Sequence, residues 1–243
     1  MSRRSRDDAL PPIWARPEPS GRGPRAALSR RQIVDAALLI ADEEGLDAVS
    51  MRRLGRELRS GAMSIYHYFQ SRDELLDLMG DTVAAEMLVD ELPSDWREAL
   101  RAIAHRGRNA FKRHPWLLPT LQDRPGVSPN LMRHVEQSAQ AVRALGDRGI
   151  EPALLTGVVL AVDDYMIGYT LRELAAGDED ERVGGISHRF REQSEEPHVR
   201  YLLDSGEFPM LVRFLALDGE PPAHGFDDGL NWLLDGFAAR HGL

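Results

Sequence analysis

Cysteine is absent from the 243 residues, so neither a disulfide framework nor a thiolate site enters the account. Long apolar runs are missing as well. The longest, residues 153–162, contains Thr156 and Gly157 and stops at Asp163-Asp164, short of the ~20 residues that a membrane helix needs. The N-terminus is rich in Arg but runs into Pro and Gly rather than an apolar stretch, which is not the pattern of a secretory leader. These absences lead to the expectation of a soluble, cytoplasmic protein with no membrane partner. The signatures of catalysis are also lacking: there is no Gly-rich phosphate loop, no G-x-S-x-G elbow, no H-E-x-x-H helix and no His pair at i, i+4. Carboxylate pairs such as Asp163/Asp164 arise readily by chance in a chain with 39 acidic residues. The expectation is therefore no enzyme, no catalytic residues, no metal site and no cofactor.

What charge there is lies unevenly. The chain as a whole carries −9, which argues against a nucleic-acid partner. Residues 1–72, however, hold 13 Arg and no Lys against 9 acidic residues, a net +4, while residues 73–243 hold 17 basic against 30 acidic residues, a net −13. A basic head on an acidic body suggests that only the head meets phosphate.

Proline and glycine mark the first boundary. Residues 1–28 contain five Pro and show no apolar period, and are read as a disordered basic arm. Its Arg16, Arg22 and Arg25 suit either a solvated tail or an arm that tracks a minor groove. From Ser29 a helical period begins: Ile33, Ala36, Ala37, Ile40 and Ala41 form one stripe, with Ser29 as N-cap and Gly45 as stop. Ser50 caps a short helix whose Met51, Leu54 and Leu58 share a face, R-S-G-A makes a turn, and a third helix is expected over residues 62–69. S-R-D-E is a capping box with Ser71 as N-cap and Glu74 at N3, opening a helix over residues 73–89 that Pro93 ends. Three short helices and a longer one, with a Gly-bearing turn between the second and third, form the helix-turn-helix pattern. The remainder is also helical: Asp95 and Glu98 cap a helix that reaches His114, residues 131–145 form another, and Pro152 opens a long one to Ala176. An acidic insertion is expected over residues 177–199, and a last helix spans residues 226–240.

One stretch asks for more than a core. Residues 65–70 read I-Y-H-Y-F-Q in a chain with five tyrosines. Ile65 and Phe69 at i, i+4 take the inner side. Met63, Tyr66 and His67 then look outward, bordered by Tyr68, and suit a DNA groove: hydroxyl and imidazole donate to phosphate, and methyl groups meet thymine methyls.

The stretch L-S-R-R-Q-I-V-D-A-A-L-L-I-A-D-E-E-G-L-D-A-V-S-M-R-R-L-G-R-E-L-R-S-G-A-M-S-I-Y-H-Y-F-Q-S-R-D-E-L-L-D-L-M resembles the DNA-binding head of TetR-family transcriptional repressors over about residues 29–80. The resemblance implies an all-α fold. Residues 29–75 would be a helix-turn-helix domain and residues 76–243 a larger ligand-binding and dimerisation domain. It implies that Ser50 is a phosphate-facing cap, Arg52 reads a base, Ala62 and Met63 touch bases, and Ser64, Tyr66, His67 and Arg72 contact the backbone. The family turn usually reads L-G-V, with Gly in a left-handed conformation and an apolar plug after it. Here Leu58-Arg59-Ser60 stands there, so Arg59 carries a steric cost if the conformation is kept and Ser60 gives up an apolar contact.

The run W-R-x-x-L…H-P-W…R-P…P-N-x-L within residues 94–175 is similar to the C-terminal domain of the tetracycline-repressor branch. That similarity implies a helical pocket for a small-molecule effector, still unknown. It also implies a homodimer formed by two long helices, here residues 152–176 and 226–240, acting on a double-stranded DNA operator. Pocket candidates are His105, Phe111, Trp116, Tyr165 and Tyr169, polar or aromatic residues on otherwise apolar helices, with Asp163 or Asp164 behind them. The tetracycline sensors use a metal chelate; without metal-ligand spacing here, tetracycline is not carried over as the ligand. A dimeric ligand binder with weakened DNA binding is the alternative reading.

Overall fold

The computed structural model describes residues 11–19, 28–123, 127–176, 193–194, 196–215 and 225–243. Among the described residues there are eleven α-helices and no strand. They are α1 (Arg30–Glu44), α2 (Met51–Glu57), α3 (Ala62–Tyr66), α4 (Arg72–Glu86), α5 (Trp96–Arg113), α6 (Leu117–Asp123), α7 (Pro129–Gly146), α8 (Pro152–Ala176), α9 (Pro197–Asp204), α10 (Pro209–Leu215) and α11 (Phe226–His241). Short 3-10 turns stand at Ile13–Ala15 and Leu46–Ala48. The chain is thus all-α, a helix-turn-helix head followed by a larger helical body.

Local capping explains most of the helix starts. Ser29 accepts from the Gln32 amide at 3.1 Å while the Gln32 side chain takes the Ser29 amide at 2.9 Å, a reciprocal cap. Gly45 ends α1 at φ +85°, where a side chain would be strained. Ser50 caps α2, Ser71 caps α4 and Asp95 caps α5, the last by accepting from two amides at 2.9 and 3.0 Å. At Ser71 only half of the expected box forms. The Glu74 carboxylate reaches past it to the Gln70 amide at 2.8 Å and to Arg16.

The head core is Ile33, Ala37, Leu54, Ile65, Phe69 and Leu75, all fully buried. In the body, α5, α7 and α8 pack on one another, α4 leans on α7 and α5, and α11 lies along α8. The buried ridge of α8 is Val158, Val162, Met166 and Thr170, four residues apart as a packed helix face requires.

Several expectations change. Residues 11–19 are not a featureless arm: Ile13 is 2% exposed and its turn lies against α4. Arg22 and Arg25 lie outside the described residues. The recognition helix α3 ends at Tyr66, one turn early, so the period does not continue and Tyr68 turns inward, 7% exposed. Helix α7 begins at Pro129, capped by Ser128, two residues before the expected start. Most of the expected insertion at 177–199 lies outside the described residues, but Pro197 to Arg200 already belong to α9. Helix α8 runs through Asp163-Asp164, so Pro152–Ala175 is long and apolar enough to cross a membrane by length and composition; the run was expected to be too short.

The turn between α2 and α3 keeps its left-handed residue. Arg59 sits at φ +48°, which costs an L-residue roughly 1–2 kcal/mol, and the Ser60 Oγ after it is buried without a hydrogen-bond partner. Arg59→Gly is expected to raise stability by about 1 kcal/mol, the relief of strain exceeding the extra freedom of glycine in the unfolded chain. A urea denaturation midpoint that stays level or falls would contradict it.

Candidate nucleic-acid interface and effector pocket

The outward side of the head is made by three short segments. Ser50 spends its hydroxyl on the Arg53 amide at 3.2 Å, so it fixes the start of α2 and leaves its edge exposed. Arg53 turns away, held by Glu44 at 2.7 Å and Glu57 at 2.5 Å, bonds that push its guanidinium pKa further up. Its neighbour Arg52 is exposed. On α3, Met63 is 79% exposed and Tyr66 48%, with Ser64 and His67 also exposed and Ala62 half-buried. Ile65 and Phe69 hold the helix from beneath at 0% exposure. Ser50, Arg52, Met63, Ser64, Tyr66 and His67 are thus exposed on or beside α2 and α3, two helices in mutual contact. Arg72 donates to the Val49 carbonyl at 2.9 Å and the Leu46 carbonyl at 2.8 Å, so its guanidinium ties the start of α4 to the loop before α2.

Gly55 escaped notice in the sequence. It lies buried at the middle of α2, and a Cβ there would come within 2.9 Å of the Ala62 nitrogen and 3.0 Å of the Ser60 oxygen. Its absence of a side chain sets how closely α2 and α3 approach. The only signal was a glycine inside a helical run, M-R-R-L-G-R-E-L, which marks close backbone approach.

A cavity of about 340 Å³ lies in the body beneath the head, within the range of small-molecule sites. Its walls are mostly apolar: Phe111 of α5, Trp116 and Leu117, Leu131 and Val135 of α7, Met166 and Ile167 of α8. Polar groups are few. His134 lines it with Nδ1 buried and unpartnered, and burial pushes its imidazole pKa down despite a hydrogen bond with the Met87 backbone. Asp163 also lines it, its carboxyl pushed up to about 6 by burial and by neighbouring Asp164. Asp164 itself is exposed. Asp81, at the wall of α4, accepts the Asn130 amide at 2.7 Å and so pins the start of α7.

Of the five pocket candidates, Phe111 and Trp116 line this cavity; His105, Tyr165 and Tyr169 do not. Those three turn to the opposite side of α5 and α8, where α11 packs. Phe226 is the centre of that cluster, its ring 5.1 Å from His105, 5.5 Å from Tyr165 and 5.3 Å from Tyr169. Tyr165 donates to the Phe226 carbonyl at 2.8 Å and His105 meets Asp227 at 2.7 Å. Helical period had told which residues share a face, not which helix covers it. Among the described residues no group of three or more His, Asp or Glu is placed to hold a metal ion.

The joint between head and body is polar. Asp42 of α1 meets His114 Nδ1 at 2.7 Å and accepts from Trp116 Nε1 at 2.7 Å, and His114, 4% exposed, also faces Glu86 of α4 at 3.3 Å. Trp116 thus lines the cavity with its ring and holds the head with its N–H.

Comparison with known proteins agrees with this arrangement. Residues 33–79 match the bacterial regulatory proteins of the tetR family and residues 90–241 match the tetracyclin repressor-like C-terminal domain. The HTH-type transcriptional repressor DrrR1 of Streptomyces coeruleorubidus is 34% identical over 226 residues, covering 92% of this chain and 82% of that protein. The class G tetracycline repressor protein of Vibrio anguillarum is 28% identical over 220 residues, 86% of this chain and 93% of that one. The crystal structure of the Streptomyces coelicolor TetR family protein ActR in complex with actinorhodin superposes with a TM-score of 0.69 at 29% identity, covering 90% of this chain and 100% of that one. A helix-turn-helix head and a cavity-bearing helical body, matched in both halves and in order, mean that the chain belongs to the TetR family of bacterial transcriptional regulators.

Proposed function

We propose that the protein is a homodimeric repressor that leaves a palindromic DNA operator when a small, largely apolar effector enters the body cavity. The observation that carries this is the pairing of an outward Met63-Tyr66 surface with a mostly apolar cavity in the body. Met63 and Tyr66 are neighbours at i, i+3 on this short helix and together form a small exposed patch that a DNA groove would cover. Arg52 reads a base edge, Met63 and Ala62 meet bases, and Ser50, Ser64, Tyr66 and His67 meet the backbone. Arg72 works by position, fixing the loop that aims α2.

Cavity chemistry narrows the effector. Asp77, Asp81 and Asp163 stand in its walls and, among the described residues, no Lys or Arg does, which disfavours an anion. Trp116 and Phe111 offer ring faces, and the unpartnered His134 Nδ1 offers one hydrogen bond. A neutral or cationic ring system bearing a hydroxyl or amine fits these walls. ActR was crystallised with actinorhodin, a precedent for a small molecule in this fold. To act, the effector must bind the DNA-free arrangement better than the DNA-bound one; Trp116, touching both cavity and Asp42, is placed to make that difference.

Dimerisation rests on α8 and α11. Leu154, Leu160 and Leu171 are 39%, 55% and 44% exposed along one side of α8. A second copy suits this face better than lipid, because the exposed Asp164 can keep water or a polar partner in a protein interface, whereas in the middle of a bilayer it would cost several kcal/mol.

Selection of bound duplexes from a random pool tests the reading. An enriched palindrome with half-sites about one helical turn apart is expected, and Arg52→Ala should lose roughly 1–3 kcal/mol of discrimination at one base pair of each half-site. Enrichment of no sequence would favour a ligand-binding dimer whose head no longer reads DNA.

A further inference from the structure

The segment before the head reaches both the cavity and the recognition helix. Ile13 anchors it in the core at 2% exposure. One residue on, Trp14 lines the cavity beside Leu46 and Leu76. Two residues further, Arg16 donates to Glu74 Oε1 at 2.5 Å and to the Pro11 carbonyl at 2.6 Å, with both ionic side chains 16% exposed. The other oxygen of Glu74 takes the Gln70 amide at 2.8 Å, just past the end of α3. The Arg16 carbonyl in turn receives Arg30 Nη1 at 2.7 Å, and Arg30 Nε donates to the Tyr68 carbonyl at 3.3 Å. Glu18 accepts the Arg30 amide at 3.2 Å, at the first turn of α1.

Two bridges, Arg16–Glu74–Gln70 and Arg16–Arg30–Tyr68, therefore fasten this strap to Tyr68 and Gln70, the second and fourth residues after α3. Their members are side chains 9–16% exposed, where charge-assisted hydrogen bonds keep much of their strength. The strap adds one cap to α1, since Glu18 takes the Arg30 amide while Ser29 takes that of Gln32. It also places a tryptophan in the effector cavity two residues from the groups that hold the exit of the recognition helix.

We propose that residues 13–18 are a second transmission element. Trp14 forms part of the effector site and selects for ring-bearing ligands, and Arg16, a positioning residue, passes the strap's displacement to Tyr68 and Gln70. This rests on the effector-cavity reading. It adds to the route through Trp116 and Asp42 an independent route, supplied by a segment outside both matched domains.

Coupling between two sites is reciprocal, which gives the test. Nile red, a neutral polycyclic fluorophore, is titrated into the full chain with and without saturating selected operator DNA. The parent is expected to bind the dye more weakly on DNA, by a factor on the order of 10. Trp14→Ala should weaken dye binding to the free protein by about 10-fold, the loss of one aromatic wall. Arg16→Gln should leave dye binding to the free protein within about 3-fold of the parent while the DNA-dependent factor falls to below about 3. Operator affinity of both dye-free variants close to the parent's shows that their heads are folded. If the parent binds no dye, or binds it equally with and without DNA, the cavity reading falls and the strap with it. If the parent behaves as expected and both variants match it, or Trp14→Ala binds the dye more tightly, the strap proposal alone is overturned.

Discussion

Gly55→Ala is expected to lower operator affinity by more than ~100-fold while leaving most of the helical fold intact, because several base and phosphate contacts worth about 1–3 kcal/mol each depend on where α3 sits. The residue is buried at the centre of α2. A Cβ would meet the Ala62 nitrogen at 2.9 Å, the Ser60 oxygen at 3.0 Å and the Gly61 carbon at 3.1 Å. All three are backbone atoms of the turn and of the first residue of α3, so no side chain can swing aside. In an open helix the change would gain up to about 1 kcal/mol of propensity. Here overpacking of about 1–3 kcal/mol opposes and exceeds it, and the relief available is to push α3 outward from α2. Gly61→Ala is the control: nothing lies within 4 Å of its added Cβ and its φ is −76°. Thermal melts of both variants, with titrations against the selected operator, separate the effects. Operator affinity of Gly55→Ala within about 3-fold of the parent would mean that α2–α3 spacing does not set the reading surface.

The contrast between those two glycines illustrates what a sequence discloses. Caps are local: Ser29, Ser50, Ser71 and Asp95 each act on amides two or three residues ahead, so their helices were legible. The left-handed turn at Arg59 was legible too, through its departure from a known pattern, and φ +48° is the strain it foretold. Long-range placement was not. Pro11, Pro12, Pro17 and Pro19 gave residues 11–19 the composition of an arm, and nothing near Ile13 in sequence announces the α4 surface that buries it. That Arg72 ties α4 to the loop before α2 was not announced, because its partners are carbonyls 23 and 26 residues away. Tyr165 and Tyr169 follow the helical period faithfully, yet that period cannot say whether the neighbour is a cavity or Phe226. In α8 the Asp163-Asp164 pair ended the apolar run, though not the helix expected to reach Ala176. One carboxyl faces the cavity and the other water, and the helix continues on either side.

Leu160→Glu is expected to convert the dimer to a monomer at micromolar concentration and to cut operator affinity by about 10²–10⁴-fold, the range by which linked sites exceed single ones. Leu160 is 55% exposed within one chain, so a glutamate there is solvated in the monomer and the helix content should not change. In a two-fold interface the substitution enters twice, and each carboxylate removed from water without a partner costs several kcal/mol. Its own chain offers no cation within one turn: the neighbours at i−4, i−3, i+3 and i+4 are Thr156, Gly157, Asp163 and Asp164, the last exposed and itself acidic. Helix α8 supplies the reason to expect an interface at all: only 22% of its most apolar stretch is buried, although its opposite ridge is fully packed. Sedimentation of the variant and parent, followed by operator titration, decides the matter. A variant that sediments as a dimer would move the interface elsewhere. A monomeric parent that binds lipid vesicles through this helix would overturn the dimer reading, because the apolar face would then have a bilayer rather than a second copy to meet. A monomeric variant that binds a half-site as weakly as an isolated head would tie the geometry of α8 directly to the spacing of the operator.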